Sequence, residues 1–143
     1  MEIIMLHIEE LPIRKNVPDI LLIKWLDYDP FMKHNFESDF FRIIDQVKQK
    51  GIENIVLDSS HRRHDPSDKD YIEIFELFFS GLSDTGLKKF ARICSPHKEI
   101  NLRFQKYLND IKEDLKVPFE VKNFNEQEDA MQWLEMDSDH NKG

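Results

Sequence analysis

"NIVLDSSHRRHDPSDKDYIEIF", running from Asn54 to Phe75, sets the fold class. Its first part belongs to "IENIVLDS", a short apolar run that reads as a β-strand. A polar loop rich in histidine and arginine follows. "DPSDKDYIEIFELFFSGL" then begins with a proline and acids, as helix starts do. Tyr71, Ile74, Phe75, Phe78 and Leu82 fall on one stripe at helical spacing. Ser59 and Ser60 end the strand, and Asp65 or Ser67 caps the helix.

The same alternation extends both ways. Upstream, "EIIMLHIE" reads as a strand with Ile4, Leu6 and Ile8 on one face. "ILLIKWLD" is apolar on nearly both faces, which suits an interior strand. From Asp29-Pro30 a helical region opens, with Phe36, Phe40, Ile43, Ile44 and Val47 at helical spacing. Gly51 stops it as a left-handed cap. Downstream, "KKFARICS" is the fourth strand and "VPFEVKNF" the fifth. Between them Ile100, Phe104, Tyr107, Leu108, Ile111 and Leu115 repeat at three and four, the clearest helix in the chain. Asn125 is expected to cap a last helix, with Glu128 three residues on. The order β-β-α-β-α-β-α-β-α predicts an α/β fold: a five-stranded, mostly parallel sheet with four helices and an antiparallel first pair. Residues 1–136 make one domain, and 137–143 a frayed polar tail.

Composition narrows the function classes. The chain has 143 residues, enough for a proper core without staples. A net charge of -8 argues against a nucleic-acid binder that neutralises phosphates, and against an anionic membrane surface. Cys94 is the one cysteine, so neither a disulfide framework nor a thiolate zinc cluster forms, and a cytoplasmic location fits. Glu2, Glu9 and Glu10 interrupt the first apolar stretch, which rejects a secretory signal, and no apolar run is long enough for membrane insertion.

Two stretches carry a resemblance. "GLKKFARICSP", Gly86 to Pro96, resembles the Gly-Leu-Lys and following strand of the SpoIIAA-like proteins of the STAS class, the anti-sigma-factor-antagonist fold. "PFEVKNFNEQEDAMQWL", Pro118 to Leu134, is similar to that group's closing signature: a strand ending in Phe, a short acidic stretch, and an Ala-x-x-Trp-Leu helix. "DPSDKDY" sits where the group has a Pro-acid helix start, and the second strand with Trp25 also fits. The likeness covers the architecture from about Ile3 to Glu135; only about the last fifty residues are specific in letters. It implies a regulatory or ligand-sensing module acting through protein–protein contacts, rather than an enzyme.

The loop after the third strand offers several chemistries. STAS regulators carry a phosphorylatable serine in Asp-Ser-Ser-Gly at a helix start, where a phosphate meets free N–H groups. Here Asp58-Ser59-Ser60 is followed by His61 and ends a strand. The positional equivalent is Ser67, but Asp65, Asp68 and Asp70 would repel a phosphate there. His61 and His64 could turn towards one metal ion with Asp65, but no further histidine motif supplies the missing ligands, and no metal is expected. No Gly-x-Ser-x-Gly elbow and no glycine-rich phosphate loop occurs, so neither a catalytic residue nor a cofactor is assigned. Cys94 reads as a small hydrophobe.

Location is the stronger clue. Ligands of open α/β sheets bind outside the carboxyl ends of parallel strands. Ser59, His61, Arg62, Arg63 and His64 leave the third strand there, and His97 leaves the fourth. Together they make a positive spot for a carboxylate, a phosphate or an acidic partner loop. The plain alternative is a solvated loop. Phe78 and Phe79 are adjacent on a helix, so one of them is expected at the surface, in a homodimer contact or a greasy pocket. Two other function classes stay open: a binder of a small apolar or lipid-like ligand between helices and sheet, and a metal hydrolase built on His61, His64 and Asp65.

Overall fold

The computed structural model describes residues 6–11, 20–25, 33–61 and 68–136. Their elements are β1 (Leu6–Leu11), β2 (Ile20–Trp25), α1 (Lys33–Lys50), β3 (Asn54–Asp58), α2 (Asp68–Ser83), β4 (Lys89–Ile93), α3 (Lys98–Leu115), β5 (Glu120–Phe124) and α4 (Gln127–Glu135). The fold is α/β with four helices. In the sheet the strands stand in chain order, β1-β2-β3-β4-β5. β2 to β5 run parallel, while β1 pairs antiparallel with β2, Leu6 opposite Trp25.

Strand alternation divides the interior into two cores. Leu21, Ile23, Trp25, Ile55, Leu57 and Phe90 face α1, α2 and α3. Ile20, Leu22, Val56, Ala91 and Ile93 face α4. The three crossover helices therefore lie on one side of the sheet, and each β-α-β step repeats the same hand. β2, β3 and β4 are buried on both faces, which is why their sequences are mostly apolar rather than alternating; the polar exceptions, among them Lys89 and Arg92, need partners.

The three-helix face holds a continuous aromatic layer. Trp25 meets Phe40 and Phe75 at 6.0 and 5.5 Å between ring centroids. Phe40 stacks on Phe78 at 4.4 Å. Phe79 meets Phe90 at 5.3 Å and Phe119 at 5.9 Å, and Phe75 meets Phe104 edge-on at 5.5 Å. Each such pair adds about 0.5–1.5 kcal/mol beyond the area it buries.

Phe78 and Phe79 are both fully buried, contrary to the expectation that one reaches the surface. α2 is the middle helix of its layer, so it turns Phe78 towards α1 and Phe79 towards β4 and Phe119. Among the described residues the exposed phenylalanine is instead Phe41 on α1, at 53% exposure. α1 packs closely on α2 at Gly81, where a Cβ would lie 2.3 Å from Ile44 Cδ1. A helical glycine costs about 1 kcal/mol against alanine, and here it gives α1 room.

Helix ends follow local chemistry. Gly51 closes α1 at φ +64°, the left-handed cap expected of it. Lys116 takes the same region at φ 52° after α3, and its N–H donates to Lys112 O. At α4 the N-cap is Glu126, not Asn125, and no side chain caps it. Asn125 lies one residue too early to reach the first free N–H groups. The other end of α4 is held by Lys89 on β4, which is buried. Its Nζ donates to Trp133 O at 3.0 Å and Met136 O at 2.5 Å, and lies 5.1 Å from the Trp133 ring centroid. A cation there answers the negative end of the helix dipole.

Candidate functional site at the strand ends

The carboxyl ends of β3, β4 and β5 lie side by side, so the residues leaving them are brought together. Asp58 ends β3 by accepting a bond from Ser60 N at 2.9 Å, a local turn that competes with further strand. Ser59 N donates to Ile93 O at 3.0 Å, and Cys94 N to Phe124 O at 2.8 Å, so the ladder runs one residue past each strand.

Period-two alternation puts Arg92 on the aromatic face, two residues from Phe90. It is 1% exposed. Its guanidinium carbon lies 4.2 Å from the Phe104 ring centroid, a cation–π contact. Nη2 donates to Asn101 Oδ1 at 3.1 Å; Nη1 reaches Asn123 Oδ1 at 3.5 Å and Cys94 Sγ at 3.7 Å, both long. Asn101 is the hub. Its Oδ1 also accepts from Ser95 N at 2.9 Å, and its Nδ2 donates to Ser95 O at 2.7 Å. Ser95 Oγ accepts from His97 N at 3.1 Å, which fixes the turn into α3. On the far side Asn123 Nδ2 donates to Gln105 Oε1 at 2.8 Å, and Gln105 Nε2 to Asn109 Oδ1 at 2.9 Å. The network ties β4, β5 and α3 into one unit.

Ser59 is the odd member. It is 0% exposed, and its Oγ has no hydrogen-bond partner among the described residues. Leaving a buried hydroxyl unpaired costs about 1–3 kcal/mol.

Of the site residues read from sequence, Ser59, His61 and His97 are described. His61 and His97 are both exposed and leave neighbouring strands at the same end. Ser59 is interior rather than part of an exposed spot. Arg62, Arg63, His64 and Ser67, with Asp65, lie outside the described residues. Among the described residues no three histidine, cysteine or acidic side chains converge as a metal-holding group. The sequence reading missed Arg92, Asn101 and Asn123. The available signal was an arginine in the middle of an interior strand: buried on both faces, it needs polar neighbours.

A second feature lies on the outer surface of α1 and α2. Phe41, Ile44, Leu77 and Gly81, with Glu73, Glu76 and Ser80, line an open groove of about 540 Å³. A smaller hollow of about 100 Å³ continues from it, lined by Glu37, Glu73, Ile74 and Leu77. Among the described residues no helix is long and apolar enough to cross a membrane.

The chain matches no protein-family model, and no curated protein is significantly similar to it.

Proposed function

We propose that this chain is a non-enzymatic, STAS-like regulatory module that works in the cytoplasm through protein–protein contacts. The observation that carries this reading is the use of polar groups at the strand ends. Where an α/β enzyme would hold its reacting groups, Arg92, Ser95, Asn101 and Asn123 hydrogen-bond one another, the first two buried and the asparagines half-buried. They act as struts. An open apolar groove lies elsewhere, on α1 and α2. The element order and the Ala-x-x-Trp-Leu helix, whose Ala130, Met131 and Leu134 dock on the sheet, agree with the resemblance to the SpoIIAA-like group. Reconstitution tests the reading. A protein captured with this chain should re-form a stoichiometric complex from the two purified components. Turnover of a substrate by the chain alone, with no such complex, would overturn it.

Ser59 favours a second reading, a module that senses a small polar ligand at the strand ends. A buried hydroxyl without a partner is one a ligand could satisfy. Native mass spectrometry of the protein and of Ser59→Ala separates the readings. A bound mass lost in Ser59→Ala would establish the ligand. Two ligand-free proteins, with Ser59→Ala equally or slightly more stable by up to about 1 kcal/mol, would remove it.

A further inference from the structure

We propose that the groove between α1 and α2 receives a cationic amphipathic helix of a protein partner. The inference rests on the reading of the chain as a protein-binding module and names its working surface and the chemistry of its partner.

The two helices run side by side in the same direction. Glu37 and Glu73 share one hollow, Phe40 stacks on Phe78, and Ile44 meets Gly81, so the contacts advance together along both helices. Their outer faces leave a trough with an apolar floor: Phe41, Ile44, Leu77 and the bare backbone of Gly81. The floor is backed by Phe40, Ile43, Phe78 and Leu82, all buried, so it is rigid. A trough between two helices accepts the side-chain ridge of a third. α1 has 18 residues and α2 16, long enough to seat two to three turns of a partner.

Charge selects the occupant. Glu37, Glu73 and Glu76 stand around one end of the trough. One turn beyond Ile44 comes Lys48, and one turn beyond Gly81 comes Asp84, of opposite sign. The trough is therefore negative at one end and balanced at the other. A helix with apolar anchors at i, i+3 or i+4, and i+7, flanked by Lys or Arg, matches both floor and rim. A second copy of this chain carries a net charge of -8, so its overall field opposes approach to those glutamates, and an anionic membrane would be repelled by them.

The probe is an 18-residue capped peptide of Leu, Lys and Ala, leucines at alternate three- and four-residue steps; a Leu/Glu/Ala peptide of the same pattern is the control. Calorimetry should show the lysine peptide binding at least tenfold more tightly. Amide shifts should map to residues 37–48 and 73–84. Phe41→Ser should weaken binding about tenfold with unfolding temperature unchanged. The double variant Glu73→Lys, Glu76→Lys should weaken it similarly and flatten its salt dependence. Glu128→Lys with Asp129→Lys, on exposed positions of α4, should leave it unchanged. Equal binding of both peptides, equal loss in the α4 variant, or concentration-dependent self-association that shields the groove would overturn the proposal. A reconstituted host complex whose contacts lie outside the groove would also overturn it while leaving the module reading intact. Peptide bound in the groove, with no host complex formed, would strike the module reading instead.

Discussion

The two faces of the sheet are built differently. On one side three helices clamp interlocking rings, from Trp25 through Phe78 and Phe79 to Phe119. On the other a single nine-residue helix rests on Ile20, Leu22, Val56, Ala91 and Ile93. Ala91 lets α4 approach, and Lys89 fastens its last turn. The first face is held by packing spread over many rings. The second depends on a few contacts, one of them polar. The aromatic face is complete beneath its outer rim, so exposing Phe41 costs the fold little, and a groove can be kept there for a partner.

The largest expected effect separates the two faces. Phe79→Ala removes a ring with contacts to Phe75, Phe78, Phe90 and Phe119 and should cost about 3–5 kcal/mol. Leu134→Ala, on the thinner side, should cost about 2 kcal/mol. Urea unfolding compares them directly, and equal or reversed losses would break the contrast. Asn101→Ala comes next. It strips acceptors from Arg92 and Ser95 and should cost about 1–3 kcal/mol, read as a lower urea midpoint with unchanged slope. Lys89→Met is smaller, about 1–2 kcal/mol, because two carbonyls at the end of α4 lose their donor. Hydrogen exchange sharpens the comparison here: amides of α4 should exchange faster while those of α1 to α3 keep their protection. Uniform loss of protection would show that the faces are not independent.

Much of this architecture is legible in the chain. "ILLIK", "NIVLD" and "KFARI" are mostly apolar over lengths too short for helices, Gly51 marks the end of α1, and the repeat from Ile100 to Ile111 lies within α3 as expected. Other features depend on neighbours that the sequence does not specify. Helical spacing says that Phe78 and Phe79 diverge, but not that α2 is flanked on both sides; only that flanking buries both. Phe41, by contrast, falls off the stripe of Phe40, Ile43 and Val47, and it is exposed. His61 and His97 follow neighbouring strands at the same end of the sheet, an adjacency legible in the element order. The residues that organise that rim, Arg92, Asn101 and Asn123, lie on three different elements, and their meeting is a product of strand register and of the α3 docking angle.

Labour is divided between a structural rim and a binding groove, and a crossed pair of variants tests this most directly. Phe41→Ser and Asn101→Ala are each measured for thermal unfolding and for affinity towards the lysine-rich amphipathic peptide. Phe41→Ser should unfold within about 2 °C of the parent and lose about tenfold in affinity, whereas Asn101→Ala should unfold several degrees lower, at about 3 °C per kcal/mol, with affinity unchanged while folded. The opposite pattern, affinity lost at Asn101 and stability lost at Phe41, would contradict it.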